Sequence, residues 1–152
     1  KRIPNLDFII NIIINQQNES NSKISIEMED ILKDNIAECL SNDNFFKLPI
    51  PIMYRIIERS DHDQIQCDLL YDFIKKSIKS RYILFQFIDM KSLSDENFYD
   101  LCENIPKKYL GYLQIQIDYM KKMKNDIKLL EKEIKQLKEE NLTEKKKSRK
   151  LI

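Results

Sequence analysis

Tryptophan is absent from this chain of 152 residues, and glycine occurs once, at Gly111. Without glycine there are almost no residues for tight hairpin turns or for the backbone loops that cradle phosphates. That argues against sandwiches, barrels and doubly wound sheets, and for helices joined by short polar links. Cysteine is sparse and badly spaced for chemistry. Cys39, Cys67 and Cys102 are odd in number, far apart and set among apolar residues. No CxxC pair exists, so zinc binding and redox exchange have no support, and buried free thiols in a reducing cytoplasm are expected. The only histidine, His62, lies among Asp61, Asp63 and Gln64 in a polar stretch. Adjacent residues rarely converge on one ion, so a solvated turn is the expectation there, and no Ser or Cys stands in a pattern that would make a triad. The apolar run Phe8 to Ile14, broken by Asn11, is far too short to span a bilayer. No secretory signal is visible. The chain opens on Lys1-Arg2 without an initiator Met and reads as a piece of a longer protein.

What is present is helix-forming and charged. Charged residues make up 34% of the chain and apolar ones 42%, enough for a modest helical core. The net charge of +1 is unevenly spread: residues 121–150 carry a net +6 and the remainder a net −5. A basic tail on an acidic body could touch an acidic surface, but a solvated helix is the plainer reading. The sites Asn18-Glu19-Ser20 and Asn141-Leu142-Thr143 match the glycosylation pattern, and both look accidental.

Apolar spacing predicts a succession of short helices. The first runs from Ile3 to Asn15 with Pro4 near its start. A polar loop follows over Gln16 to Lys23. Ile26, Ile31, Leu32, Ile36, Cys39 and Leu40 then recur at helical spacing, with Glu27, Glu29 and Asp30 in the expected first turn. Ser41-Asn42-Asp43-Asn44 stops that helix. Pro49 and Pro51 hold the next segment extended and then start a helix with Ile52, Ile56 and Ile57 on one face. Leu69, Leu70, Phe73, Ile74 and Ile78 mark a helix from about Gln64 to Lys79. Residues 82–88 are nearly all apolar and fit either a buried strand or a short buried helix. Helix is preferred because no other segment offers a strand to pair with. Ser94 caps a helix with Phe98, Leu101 and Cys102 on its inner face, and Ile105-Pro106 ends it. A long terminal helix is expected from Lys107 or Lys108, running through Gly111.

That terminal helix carries the most specific pattern in the chain. One row reads Leu113, Met120, Ile127, Ile134, Asn141, and a row three residues later reads Gln116, Met123, Leu130, Leu137. These are the a and d positions of a heptad. Ile at a with Leu at d favours two parallel strands, and a single Asn at a fixes register. Glu133 can meet Lys138 of a partner and Glu140 can meet Lys145, whereas Asp126 facing Glu131 is repulsive. The expected dimer seam is therefore Leu113, Met120, Met123, Ile127, Leu130, Ile134, Leu137 and Asn141. Tyr109, Tyr112 and Tyr119 are expected either to fold back on the body or to form a recognition strip, the former preferred. The run Lys145-Lys146-Lys147-Ser148-Arg149-Lys150 resembles a nuclear localisation signal or a nucleic-acid contact. A basic leucine zipper places its basic region before the zipper, so nucleic acid is disfavoured and a frayed, charged coil end is expected.

The block Phe45 to Ser60, then Asp68-Leu69-Leu70-Tyr71-Asp72-Phe73-Ile74 and Ile83-Leu84-Phe85-Gln86-Phe87-Ile88-Asp89, resembles the BACK-like helical region of BTB proteins. The likeness is to expanded protist families that join a BTB-like start to ankyrin repeats or a coiled coil. Phe98 to Leu101 and Ile105-Pro106-Lys107-Lys108-Tyr109-Leu110 extend it, over roughly residues 26–140. The resemblance implies an elongated stack of helical hairpins that spaces a dimer from a binding domain. Some such proteins recruit a cullin ubiquitin ligase, which would require a BTB domain upstream. The expected chain is thus all-α: a stack of short antiparallel helical hairpins over 1–108, one long coiled-coil helix over 109–145, and a basic disordered tail over 146–152. The expected function is a non-enzymatic scaffold or adaptor in the cytoplasm, with nuclear entry through the basic run as an alternative. Its partners would be a second copy of itself and a further protein. No membrane, cofactor, metal or catalytic residue is expected. The alternative function is the substrate-receptor part of a BTB/cullin-type ligase.

Overall fold

The computed structural model describes residues 4–16 and 22–150. Among the described residues there are eight α-helices, with short 3-10 turns between them and no strand. They are α1 (Leu6–Gln16), α2 (Ser22–Asp34), α3 (Ile36–Leu40), α4 (Ile50–Arg59), α5 (Cys67–Lys75), α6 (Ile78–Arg81), α7 (Asp95–Asn104) and α8 (Leu113–Lys150). The chain divides into two compact units, Lys1–Gly111 and Tyr112–Ile152. The expected loop over 16–23, the first glycosylation match and the ends of the chain fall wholly or partly on residues 1–3, 17–21 and 151–152, outside the described residues.

In the first unit the longer helices bury apolar stripes. Leu6, Ile9, Ile10 and Ile13 do so on α1, Met53, Ile56 and Ile57 on α4, and Phe98 and Leu101 on α7. Tyr71, Phe45, Phe85 and Phe98 are the largest fully buried side chains. Asn5 caps α1, accepting from the Phe8 N–H at 3.2 Å, and Ser94 caps α7, accepting from the Asn97 N–H at 3.2 Å. The Ser41-to-Asn44 stop is tied back to α1, because Asn42 and Asn44 both donate to Asp7 at 2.8 and 2.9 Å.

Several boundaries differ from the sequence expectation, each for a local reason. The single helix expected over 26–40 is broken at Asn35, whose backbone leaves the helical region (φ −124, ψ 39) while its amide donates to the Ile31 carbonyl at 2.8 Å. Because α2 starts at Ser22, Glu29 is not in a first turn. It is buried mid-helix and accepts both Nε and Nη2 of Arg55, at 3.1 and 3.0 Å, which joins α2 to α4. The helix expected to run to Lys79 stops at Lys75 and restarts after Ser77, which sits at φ −154, ψ 72. Ile52 is only half-buried, Met53 taking the inner position.

Residues Tyr82–Phe87 form a 3-10 helix, neither strand nor α-helix. Three residues per turn stack Leu84 over Phe87 and Phe85 over Ile88, and all four are buried. After α7, Ile105 is extended (φ −91, ψ 122), the conformation that the following proline favours. The long helix does not start at Lys107. Lys107–Tyr109 is a 3-10 turn, and Gly111 adopts φ +53, a left-handed conformation that ends one turn and resets the chain before α8. At its far end α8 continues to Lys150, so residues 146–150 of the expected disordered tail are helical.

Candidate association surface

On α8 the apolar residues separate by exposure. Met123 is 44% exposed, Ile127 51%, Leu130 57%, Ile134 52% and Leu137 59%, and Asn141 at the end of the same row is exposed too. Met120 is half-buried and Gln116 exposed, whereas Leu113 is buried. Ile117, which the heptad assignment left aside as an e position, is more deeply buried than Leu113. The signal that marks it is the polar Gln116 at a d position beside an apolar neighbour at e. Tyr112 and Tyr119 are both exposed. Tyr109 is half-buried and meets Tyr82 with ring centroids 5.5 Å apart.

The charges that flank the exposed row are ordered. The g positions hold Asp126, Glu133 and Glu140, and the e positions hold Lys124, Glu131, Lys138 and Lys145. In a parallel pair g faces e of the partner, so two acid–base matches stand against one acid–acid match, Asp126 with Glu131. In an antiparallel pair g faces g, acid against acid, and e faces e, mostly base against base. Within the helix, Gln114 donates to Asp118 at 2.7 Å and Thr143 to the Glu139 carbonyl at 3.0 Å.

His62 lies in an exposed 3-10 turn, its Nε2 3.1 Å from the Glu58 carbonyl, and Asp61 accepts from the Asp63 N–H at 3.0 Å. Among the described residues no cluster of three or more His, Cys, Asp or Glu could hold a metal ion. All three cysteines are free thiols. Burial pushes the Cys39 thiol up to about 12 and raises that of Cys67, the opposite of what a nucleophile needs. Cys102, expected in the core, is half-buried. An open hollow of about 480 Å³ has Phe46 and Phe73 in its lining, their rings stacked at 4.3 Å, with Arg81 3.9 Å over Phe73. Its charged groups, Asp43, Lys47, Asp72, Lys76 and Arg81, are of mixed sign.

No known family model, curated protein or solved structure matches the chain. Among the described residues no helix is long and apolar enough to cross a membrane.

Proposed function

We propose that this chain is a non-enzymatic scaffold or adaptor that self-associates by parallel pairing of α8. The observation that carries this reading is the row of half-exposed Met123, Ile127, Leu130, Ile134 and Leu137 at alternating steps of four and three. A helix exposing such a row in water gains by covering it with another of the same kind. The acidic g row and largely basic e row favour the parallel orientation, and Asn141 opposite its own copy fixes register. The unit Lys1–Gly111 is, in this proposal, a stack of antiparallel helical hairpins of the BACK-like kind. The packing of α1 on α2, α2 on α4, and α5 on both α6 and the 82–87 segment supports that reading. The protein works in the cytoplasm with its thiols reduced, and brings a further protein partner to a dimer.

Sedimentation equilibrium of the whole chain at micromolar concentration tests the proposal. The expected mass is twice 18.3 kDa. Leu130→Lys changes a residue exposed in the single chain, so the fold is kept while the seam is broken. Covering Leu130 contributes roughly 1–1.5 kcal/mol per copy, so the variant dimer should be weaker by about a hundredfold. A wild-type monomer under these conditions would overturn the reading.

A further inference from the structure

The charge on α8 is divided by face. In a heptad the b, c and f positions point away from a partner helix, and the e and g positions flank the seam. Over residues 121–149 the outward positions hold seven cations and one acid, Glu139. Lys121, Lys128, Lys135 and Arg149 stand in the b row, Lys132 and Lys146 in the f row, and Lys122 in the c row. All seven are exposed. The seam and its flanks over the same stretch hold four cations and five acids. The outward face therefore carries a net +6 and the seam side a net −1. A helix that only has to stay in solution interleaves its signs, because like charges three or four residues apart repel. Lys121, Lys124, Lys128, Lys132, Lys135 and Lys138 instead follow one another at steps of three or four. The b and f rows lie about 40° apart round the helix, so their six cations form one band about 42 Å long.

We propose that this band binds the phosphate backbone of double-stranded nucleic acid without reading its sequence. Five of its six cations are lysines, which hold phosphates as point charges and need no fixed angle of approach. Groove reading of the zipper kind uses a basic region ahead of the seam, whereas here the cations lie along and after it. The form of the band selects the polyanion. A duplex is stiff over far more than this length and can lie along an unbroken helix, whereas a compact acidic protein meets only part of the band. Single strands are held by stacking bases on aromatic rings, and no aromatic residue occurs from 121 to 149. A helix lying on a bilayer buries an apolar stripe in it, and the outward face over this stretch has only Leu129 and Leu142, thirteen residues apart. Because the band faces outward, it is open whether α8 is single or paired, and the proposal does not depend on pairing.

The whole chain is titrated into a labelled mixed-sequence duplex of about 20 base pairs and read by fluorescence anisotropy between about 50 and about 200 mM salt. Six phosphate contacts give a slope of log affinity on log salt of about −5. Lys121→Gln, Lys132→Gln, Lys135→Gln and Lys146→Gln combined should lower that slope to about −2 and the affinity at about 50 mM salt at least about tenfold. A control with Lys124→Gln, Lys138→Gln, Lys145→Gln and Lys147→Gln removes as many charges from the flanks of the seam, and should weaken binding less than about threefold. Glutamine is nearly as good a helix former as lysine, and circular dichroism checks that α8 is kept in both. An equal loss in the two variants would mean that net charge and not the outward face binds, and the proposal falls. It falls too if the wild-type chain leaves the duplex free at about 50 mM salt. Single strands, polyglutamate or anionic phosphatidylserine vesicles bound as tightly as the duplex at equal salt would overturn the choice of partner. Self-association, read separately by sedimentation, stands or falls on its own.

Discussion

Asp100 joins α5 to α7, and neutralising it should weaken the first unit by an amount that depends on pH. Its Oδ2 accepts from the Tyr71 hydroxyl at 2.5 Å and from Lys75 Nζ at 2.8 Å, and its Oδ1 accepts from Asn104 at 2.7 Å. The Lys75 ammonium first, and the Tyr71 hydroxyl next, hold the Asp100 carboxyl down to about 2. An aspartate in the unfolded chain titrates near 3.9, so the folded state favours the charged form by nearly two pH units. At about 1.36 kcal/mol per unit this approaches 2.5 kcal/mol, and the half-exposed Lys75 is screened by water, which reduces it to about 1–2 kcal/mol. A depressed pKa gives stability that is complete above the unfolded value and lost as pH falls through the folded one. The contribution should therefore be full at pH 7, about halved at pH 3 and nearly gone below pH 2. Asp100→Asn keeps the side chain's shape, removes the charge and turns one acceptor oxygen into a donor. Urea unfolding of variant and wild type at pH 7, 4 and 3, followed by tyrosine fluorescence because the chain has no tryptophan, gives the difference directly. A gap of about 1–2 kcal/mol at pH 7 should narrow by half at pH 3. An equal gap at every pH would mean that the loss of an acceptor oxygen, and not of the charge, weakens the joint, and no gap at pH 7 would remove Asp100 from the stability of the unit.

Gly111→Ala should cost about 1 kcal/mol, because φ +53 strains any residue with a Cβ even though nothing lies within 4 Å of where that carbon would sit; chemical denaturation of the variant measures it. Thiol labelling of the native protein should be fastest at the half-buried Cys102 and slow at Cys39 and Cys67 until denaturant is added, and mass spectrometry of the labelled peptides gives the order. Asn141→Ile should raise the melting temperature of the α8 pair while relaxing its register and oligomer state, read by thermal circular dichroism and sedimentation; a lower melting temperature would mean that Asn141 is only a solvated residue.

Much of the helical outline was legible because local rules decide it. Apolar spacing located α1, α4 and α7, Ser94 marked a cap and Ile105-Pro106 marked a stop, and each depends on residues close by in sequence. The failures came where a distant partner or a side chain's choice of backbone acceptor decided the outcome. Asn35 breaks a regular apolar pattern by turning back on Ile31, and nothing in the pattern distinguishes it from an exposed helical Asn. Glu29 looked like a dipole-favoured first-turn acid. Its burial follows from Arg55, on a helix twenty-six residues away in sequence. The apolar run at 82–88 could not be resolved by periodicity because a 3-10 helix has a period of its own, close to that of both alternatives over so few residues.

The association surface shows the same limit in sharper form. A heptad assignment treats a helix as if it were alone, so any apolar residue that fits the period is entered in one seam. Leu113 fits the period, with a polar Gln116 at d and an apolar Ile117 at e beside it. Leu113 and Ile117 are buried, whereas Met123, Ile127, Leu130, Ile134 and Leu137 are exposed, so the period tells which residues share a row and not which of them are open to a partner.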